Sequence, residues 1–204
     1  MRKSIAASAL KIVANVVVVL ALLLQAYFCF VRFRDSGSLT WLGLVAVNSV
    51  MVTMYIARSD ASAISRSVPL WLLAIGGTLM PLAVRPTAAV GFVATGTAVQ
   101  IVGTVGIVAA LLSLRRSFGI VPAHRGIRTE GLYRVVRHPL YAAEILTLFG
   151  IVLARPSPLN AGAFGCMVAL QVSRALAEER FLERDPVYSA YCGRVKYRLI
   201  PGIL

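Results

Sequence analysis

Gly131-Leu132-Tyr133-Arg134-Val135-Val136-Arg137-His138-Pro139-Leu140-Tyr141 decides how this chain is read, because it is a basic, aromatic stretch set between two strongly apolar segments. It holds one of only two histidines in the chain. Pro139 disfavours helical geometry at His138 and suits the first turn of a helix that begins beside it. His138 then stands at a helix mouth, where unpaired N–H groups and the macrodipole favour an anion. The local chemistry describes a cationic pocket at a membrane surface. A basic juxtamembrane loop resting on lipid head groups is the other reading that the stretch alone allows.

Outward from it, the composition is that of a membrane protein. The 204 residues are 58% hydrophobic and only 14% charged, with a mean hydropathy of +0.80, too apolar for a soluble domain and long enough for several spans. The net charge of +13 does not indicate nucleic acid, because the basic residues lie between long apolar runs. Cys29, Cys166 and Cys192 are far apart and lack metal-ligand spacing, so neither a disulfide framework nor a metal site is expected. The N-terminal run exceeds an ordinary signal-peptide core and reads as a retained span.

The spacing predicts an all-α, polytopic integral membrane protein. Four spans are expected at about Ala9–Val31, Leu39–Ala57, Val68–Val84 and Ala89–Leu114, with Lys11 close enough to the end of the first to snorkel. Gly91, Gly96, Gly103 and Gly106 permit close approach of the fourth, without a GxxxG pair. Two shorter runs, Leu140–Ala154 and Leu159–Ser173, fall below the ~20 residues a perpendicular span needs and read as a helical hairpin. Arg174–Leu204 reads as a cytoplasmic helical cap. Residues 1–114 thus form the four-span part, and 115–204 the polar segment, hairpin and cap.

Sorting the basic residues sets the orientation. With the N-terminus inside, the outer turns hold Arg32, Arg34, Arg85 and Arg155, and the other 17 of 21 fall on the inner side. The His138 stretch and both terminal segments then share the cytoplasmic face.

Gln171, Arg174 and Glu178 fall on one face of the second hairpin helix. Arg174 and Glu178 are also an i, i+4 pair, worth a few tenths of a kcal/mol if exposed. Glu144 lies one turn inside an apolar run, where a lone charge is costly, so it requires a partner or a polar cavity. No GxGxxG, P-loop or Gly-x-Ser-x-Gly element is present, and no soluble cofactor domain has room.

Tyr133-Arg134-Val135-Val136-Arg137-His138-Pro139-Leu140-Tyr141, then Glu178-Glu179-Arg180, then Tyr188, Tyr191 and Tyr197-Arg198-Leu199-Ile200-Pro201-Gly202, together resemble the isoprenylcysteine carboxyl methyltransferase family. The related phospholipid N-methyltransferases share part of the pattern. The resemblance covers roughly 114–204 and implies a cytoplasm-facing pocket for S-adenosylmethionine, with a lipophilic substrate entering from the bilayer. It implies that His138, Tyr141 and a glutamate of the Glu178/Glu179 pair contact the cofactor's amino-acid end. Tyr133, Arg137, Ala143 and Tyr191 complete the implied cofactor set. Arg174 and Arg198 fall to the substrate side, and together with Glu144 they are the expected catalytic residues. Ala143 departs from the family, which usually has glycine there, and its methyl bears on the cofactor cleft.

Methyl transfer is an in-line displacement whose main demand is alignment in a dry site. A carboxylate acceptor is ionised at pH 7 and needs an arginine rather than a base; an amine must lose a proton, which would give Glu144 or a tyrosine weight. On the resemblance, the carboxylate of an isoprenylcysteine-like lipid is the expected acceptor and a phospholipid amine the alternative. The ending also resembles membrane sterol reductases that bind a nicotinamide cofactor, and a lipid-binding scaffold is the non-enzymatic alternative. The expected partners are membrane lipids and a lipophilic or prenylated substrate, with neither nucleic acid nor metal.

Overall fold

The computed structural model describes residues 2–203 apart from Arg66, Pro86 and Ala89, and side chains at 12 and from 15 onward. The side chains of Arg2, Lys3 and Lys11, together with Arg66 and Ala89, carry part of the expectations above and lie outside the described residues.

The chain is mostly helical: α1 (Arg2–Ser36), α2 (Leu39–Ala57), α3 (Val68–Leu79), α4 (Val93–Leu114), α5 (Pro139–Ala154), α6 (Pro158–Leu182) and α7 (Pro186–Arg194). Proline opens the first turn of α3, α5, α6 and α7, where its missing N–H costs nothing and its fixed φ is already helical. Ser157 and Asp185 add side-chain caps, accepting from the backbone N–H of Asn160 and Val187. One small departure from an all-α chain is a two-residue antiparallel ladder, β1 (Ala63–Ile64) with β2 (Ala123–His124), which ties two polar loops together.

Three helical segments are long and apolar enough to cross a bilayer: Asn15–Ser36, Leu39–Ala57 and Val93–Ser117. Val68–Ala83, which is α3 with a 3₁₀ extension, is a shorter apolar segment, as is α5. On the crossing helices large apolar side chains stay exposed, Leu20 at 58%, Ile101 at 57% and Val102 at 62% among them. Such a surface is a liability in water and the ordinary outer face of a protein in lipid.

α4 is the central strut, packed against α2 and most extensively against α5. Small residues make that seam possible. A Cβ at Gly96 would stand 2.5 Å from the Gly150 carbonyl oxygen, one at Gly103 would stand 2.5 Å from Thr147 Oγ1, and one at Gly106 would stand 3.1 Å from the Ala143 methyl. The expectation of no GxxxG pair holds, yet glycines seven apart keep one face of α4 bare over two turns.

The polar segments gather at two ends. At one end Arg32 Nη1 donates to Val84 O, Arg155 Nη1 to Thr87 O, and the fully buried Asn160 bonds Arg85 through both its amide oxygen and its nitrogen. At the other end Ser59 and Arg116 exchange bonds with the chain around one another, Ser62 meets His124, and His124 Nε2 lies 2.5 Å from Asp185 Oδ2. The second end holds the His138 stretch.

Candidate active site

Gly131 begins the motif with φ +60°, and a Cβ there would collide with Ser113 of α4, so only glycine lets the chain turn this close to the strut. A 3₁₀ turn over Gly131–Arg134 follows, and Pro139 then starts α5. The two residues before Pro139 pair with the C-terminal segment: the Arg137 N–H donates to Tyr197 O (2.9 Å) and the His138 N–H to Arg198 O (2.8 Å). Tyr191 Oη donates to Tyr133 O (2.7 Å), and Tyr133, Tyr188, Tyr191 and Val195 form a small core beneath. Distant parts of the sequence are thereby closed onto one site.

His138 is buried and stacks face to face on Tyr141, with ring centroids 5.5 Å apart. Its Nε2 lies 3.2 Å from Glu179 Oε1, and its Nδ1 is 3.9 Å from Glu178 Oε2. Tyr141 Oη donates to Glu178 Oε2 at 2.8 Å. Glu179 is surrounded: Arg198 Nε donates to its Oε2 at 2.8 Å, and Arg137 Nε approaches its Oε1 to 2.9 Å. Burial acts to raise the Glu179 carboxyl, but hydrogen bonds from His138 and Arg198 and the charges of His138 and Arg137 outweigh it and hold it below the usual carboxylate range.

Between these residues and the 117–128 loop opens a cleft. Tyr133, Arg137, His138, Tyr141, Glu178 and Tyr191 line it, as do Arg125, Arg128 and Tyr188. Three polar atoms on its walls are buried without a hydrogen-bond partner: Tyr188 Oη, Arg125 Nε and Arg137 Nε, whose N–H is not aimed at the nearby carboxylate. Burial first, then the carboxylates of Glu179 and Glu178, push the Tyr188 phenol well above its ordinary range, so it stays a hydroxyl donor. Unsatisfied donors on residues that line one cleft suit an acceptor-bearing ligand.

Glu179 and Ala143 lie outside the cleft lining. Glu179 faces cations behind the wall, and the Ala143 methyl faces Gly106 of α4. Of the glutamate pair it is Glu178, with its side chain 32% exposed, that meets the open space.

One turn deeper, Glu144 accepts from Gln171 Nε2 at 2.6 Å. Gln171 Oε1 accepts in turn from Arg174 Nη1 at 3.0 Å, and Arg174 Nη2 donates to Ile120 O. The Arg174 guanidinium lies 4.6 Å over the Tyr141 ring, a cation–π contact. Gly77 of α3 makes room for it, since a Cβ there would stand 2.9 Å from the arginine side chain. Glu144, Gln171, Arg174, Tyr141 and Glu178 therefore run as a continuous chain from the bundle interior to the cleft. Gln171 is its fully buried hub. Its position on the Arg174 face was legible in the sequence, its pairing with Glu144 across two helices was not.

The family model for phospholipid methyltransferases matches residues 84–189, just over half of the chain. The chain belongs to the phospholipid methyltransferase family. The match takes in α4, the motif, α5, α6 and the start of α7, the elements that build the cleft. Membership makes this an integral-membrane methyltransferase that acts on lipid and requires a methyl donor. The isoprenylcysteine carboxyl methyltransferases are a related family, and the match itself is to the phospholipid enzymes. No curated protein matches the chain.

Proposed function

We propose that the protein transfers a methyl group from S-adenosylmethionine to the amine of a phospholipid. The observation that carries this is the family match over the residues that form the cleft. The residues fit the donor. Its carboxylate suits the orphaned donors Arg137 Nε and Tyr188 Oη, its ammonium suits Glu178, and the aromatic walls suit its adenine. When bound, S-adenosylmethionine supplies a methyl group on a sulfonium, open to in-line displacement.

His138 and Tyr141 act as a stacked pair that fixes the orientation of Glu178, and Glu179 anchors His138 from behind. Glu144 holds the proton that the amine must lose, at the carboxylate oxygen not engaged by Gln171. The amine is preferred to the expected carboxylate acceptor because the family match is to the phospholipid enzymes. Arg198 bonds Glu179, while Arg174 bonds Gln171 and Ile120 and covers Tyr141. Arg174 thereby has both of its Nη groups engaged, while Arg198 is held through Nε alone.

In the membrane, α1, α2 and α4 cross. α3 with its 3₁₀ turn, about 26 Å long against a core of ~30 Å, serves as the fourth span in a locally thinned bilayer, and α5 and α6 form the hairpin. The basic end faces the cytoplasm, residues 1–114 hold the lipid, and 115–204 hold the donor.

The test is transfer of a labelled methyl group by the purified chain to phosphatidylethanolamine or to farnesylcysteine, offered separately. Label in the phospholipid amine is the expected result; label only in the farnesylcysteine ester would overturn the assignment.

A further inference from the structure

α1 and α2 leave an open groove at the cleft end of the bundle, lined by Asn15, Val16, Leu20, Ile56, Arg58 and Arg125 among others. Its height in the bilayer is set by sequence. Arg58 follows the last residue of α2, and Asn15 of α1 stands level with it because the two side chains are bonded, so the pair marks the border between hydrocarbon and head groups. Above that border the groove is cationic. Arg58 is held with its guanidinium 3.5 Å over the Tyr55 ring and its Nη2 bonded to Asn15 Oδ1 at 2.7 Å. Arg125 Nη1 donates to Ser59 O, while its Nε is buried with no partner. Two guanidiniums against the single carboxylate of Asp60 leave the lining net positive. Below the border the walls are apolar and exposed, with Val16 at 50%, Leu20 at 58% and Ile56 at 69%.

We propose that this groove binds a glycerophospholipid, its phosphodiester between Arg58 and Arg125 and an acyl chain along Val16, Leu20 and Ile56. The single negative charge of a phosphodiester matches the net charge of the lining, and its oxygens satisfy the orphaned Arg125 Nε, since arginine forks suit phosphate. Burial and the neighbouring Arg58 charge both disfavour the ionised form of Arg125, and an anion relieves the second of these. Arg125 also borders the donor cleft, so a lipid held here extends its head group toward that cleft. As a lipid site the groove stands by itself; as the acceptor's docking site it rests on the methyl-transfer reading above.

Binding of dioctanoyl phosphatidylethanolamine, dioctanoylglycerol and inorganic phosphate to the full chain in non-ionic detergent, with no methyl donor present, tests it. The phospholipid should bind at least about tenfold more tightly than either of the others, because only it engages both parts of the groove. Arg58→Gln should cost about tenfold in phospholipid affinity, Arg58→Lys less, and binding of S-adenosylmethionine should stay within about twofold of wild type. Equal binding of phospholipid and dioctanoylglycerol would overturn the phosphate assignment, and equal binding of inorganic phosphate would overturn the lipid one. Undiminished phospholipid affinity in a folded Arg58→Gln protein would also sink the proposal. If that variant does not fold, the wild-type comparison of the three ligands decides. A chain that binds phospholipid yet methylates no amine refutes the enzymatic reading and keeps the groove.

Discussion

His138 and Glu179 meet at 3.2 Å across 41 residues of sequence, and the same carboxylate bonds Arg198 at 2.8 Å. Glu179 thus clamps α5, α6 and the C-terminal segment together, while its neighbour Glu178 faces the cleft. The two should separate on mutation. Glu179→Ala leaves buried cations unpaired and is expected to cost about 3 kcal/mol of stability, the low end for a broken buried pair because Arg198 is partly solvated. Glu178→Ala should leave the fold intact and weaken S-adenosylmethionine binding by about 1–3 kcal/mol. Thermal unfolding in detergent and equilibrium binding read the two effects; a stable Glu179→Ala protein would remove the clamp.

The clamp carries a pH dependence of known sign. The folded Glu179 carboxyl lies below its ordinary value, so its contribution is fully present above about pH 4.3, where the unfolded group ionises. It is lost as pH falls through the lower folded value. Asp185, held low by the hydrogen bond to His124 and by the Val187 N–H, acts in the same direction. Unfolding midpoints should therefore drop on acidification below about pH 4, and Glu179→Gln should flatten that drop. Identical acid profiles for wild type and Glu179→Gln would show that the carboxylate is not depressed.

The α4–α5 seam offers a packing test with an internal control. An alanine methyl at position 103 would fall 2.5 Å from Thr147 Oγ1 and 2.6 Å from its backbone nitrogen, whereas one at 162 meets nothing within 4 Å. Gly103→Ala should destabilise by about 1–3 kcal/mol as the helices are forced apart. Gly162→Ala should be neutral or stabilising by roughly 0.5–1 kcal/mol, the helix-propensity gain. The measurement is again the unfolding midpoint, and equal shifts would mean that α4 and α5 are not this close.

The helices were largely legible because apolar runs and prolines mark them locally. The Leu39–Ala57 span and the Val68 start coincide with the expectation, and α5 begins at Pro139, where the proline suits a first turn. The apolar run of the second hairpin helix ends at Ser173, but α6 itself runs past the expected Glu178–Glu179 end to Leu182, with Arg174 and Glu179 turned inward to buried partners. The same inward turn hid the site's wiring. Arg174 reads as an i, i+4 partner of Glu178, but the bonds it makes are to Gln171 and Ile120, and long-range pairing of this kind has no sequence period. The lipid groove was equally invisible, since Arg58 and Arg125 lie far apart in sequence.

The pH dependence of the rate separates the two acceptors. A carboxyl group titrates near 4, so a carboxylate acceptor gives a nearly flat rate from about pH 6 to 8. An amine must lose its proton before it attacks, and the rate climbs with pH until the amine or its base is deprotonated. The expected profile for this chain is the rising one, approaching tenfold per unit in single-turnover measurements with saturating donor. Glu144→Gln preserves volume and can still accept from Gln171 Nε2, so it tests the carboxylate and little else. Loss of a general base should lower the rate about 10²–10⁴-fold, with unchanged binding of S-adenosylmethionine. A flat profile with chemistry rate-limiting would restore the carboxylate acceptor, and a fully active Glu144→Gln enzyme would move the proton to another group.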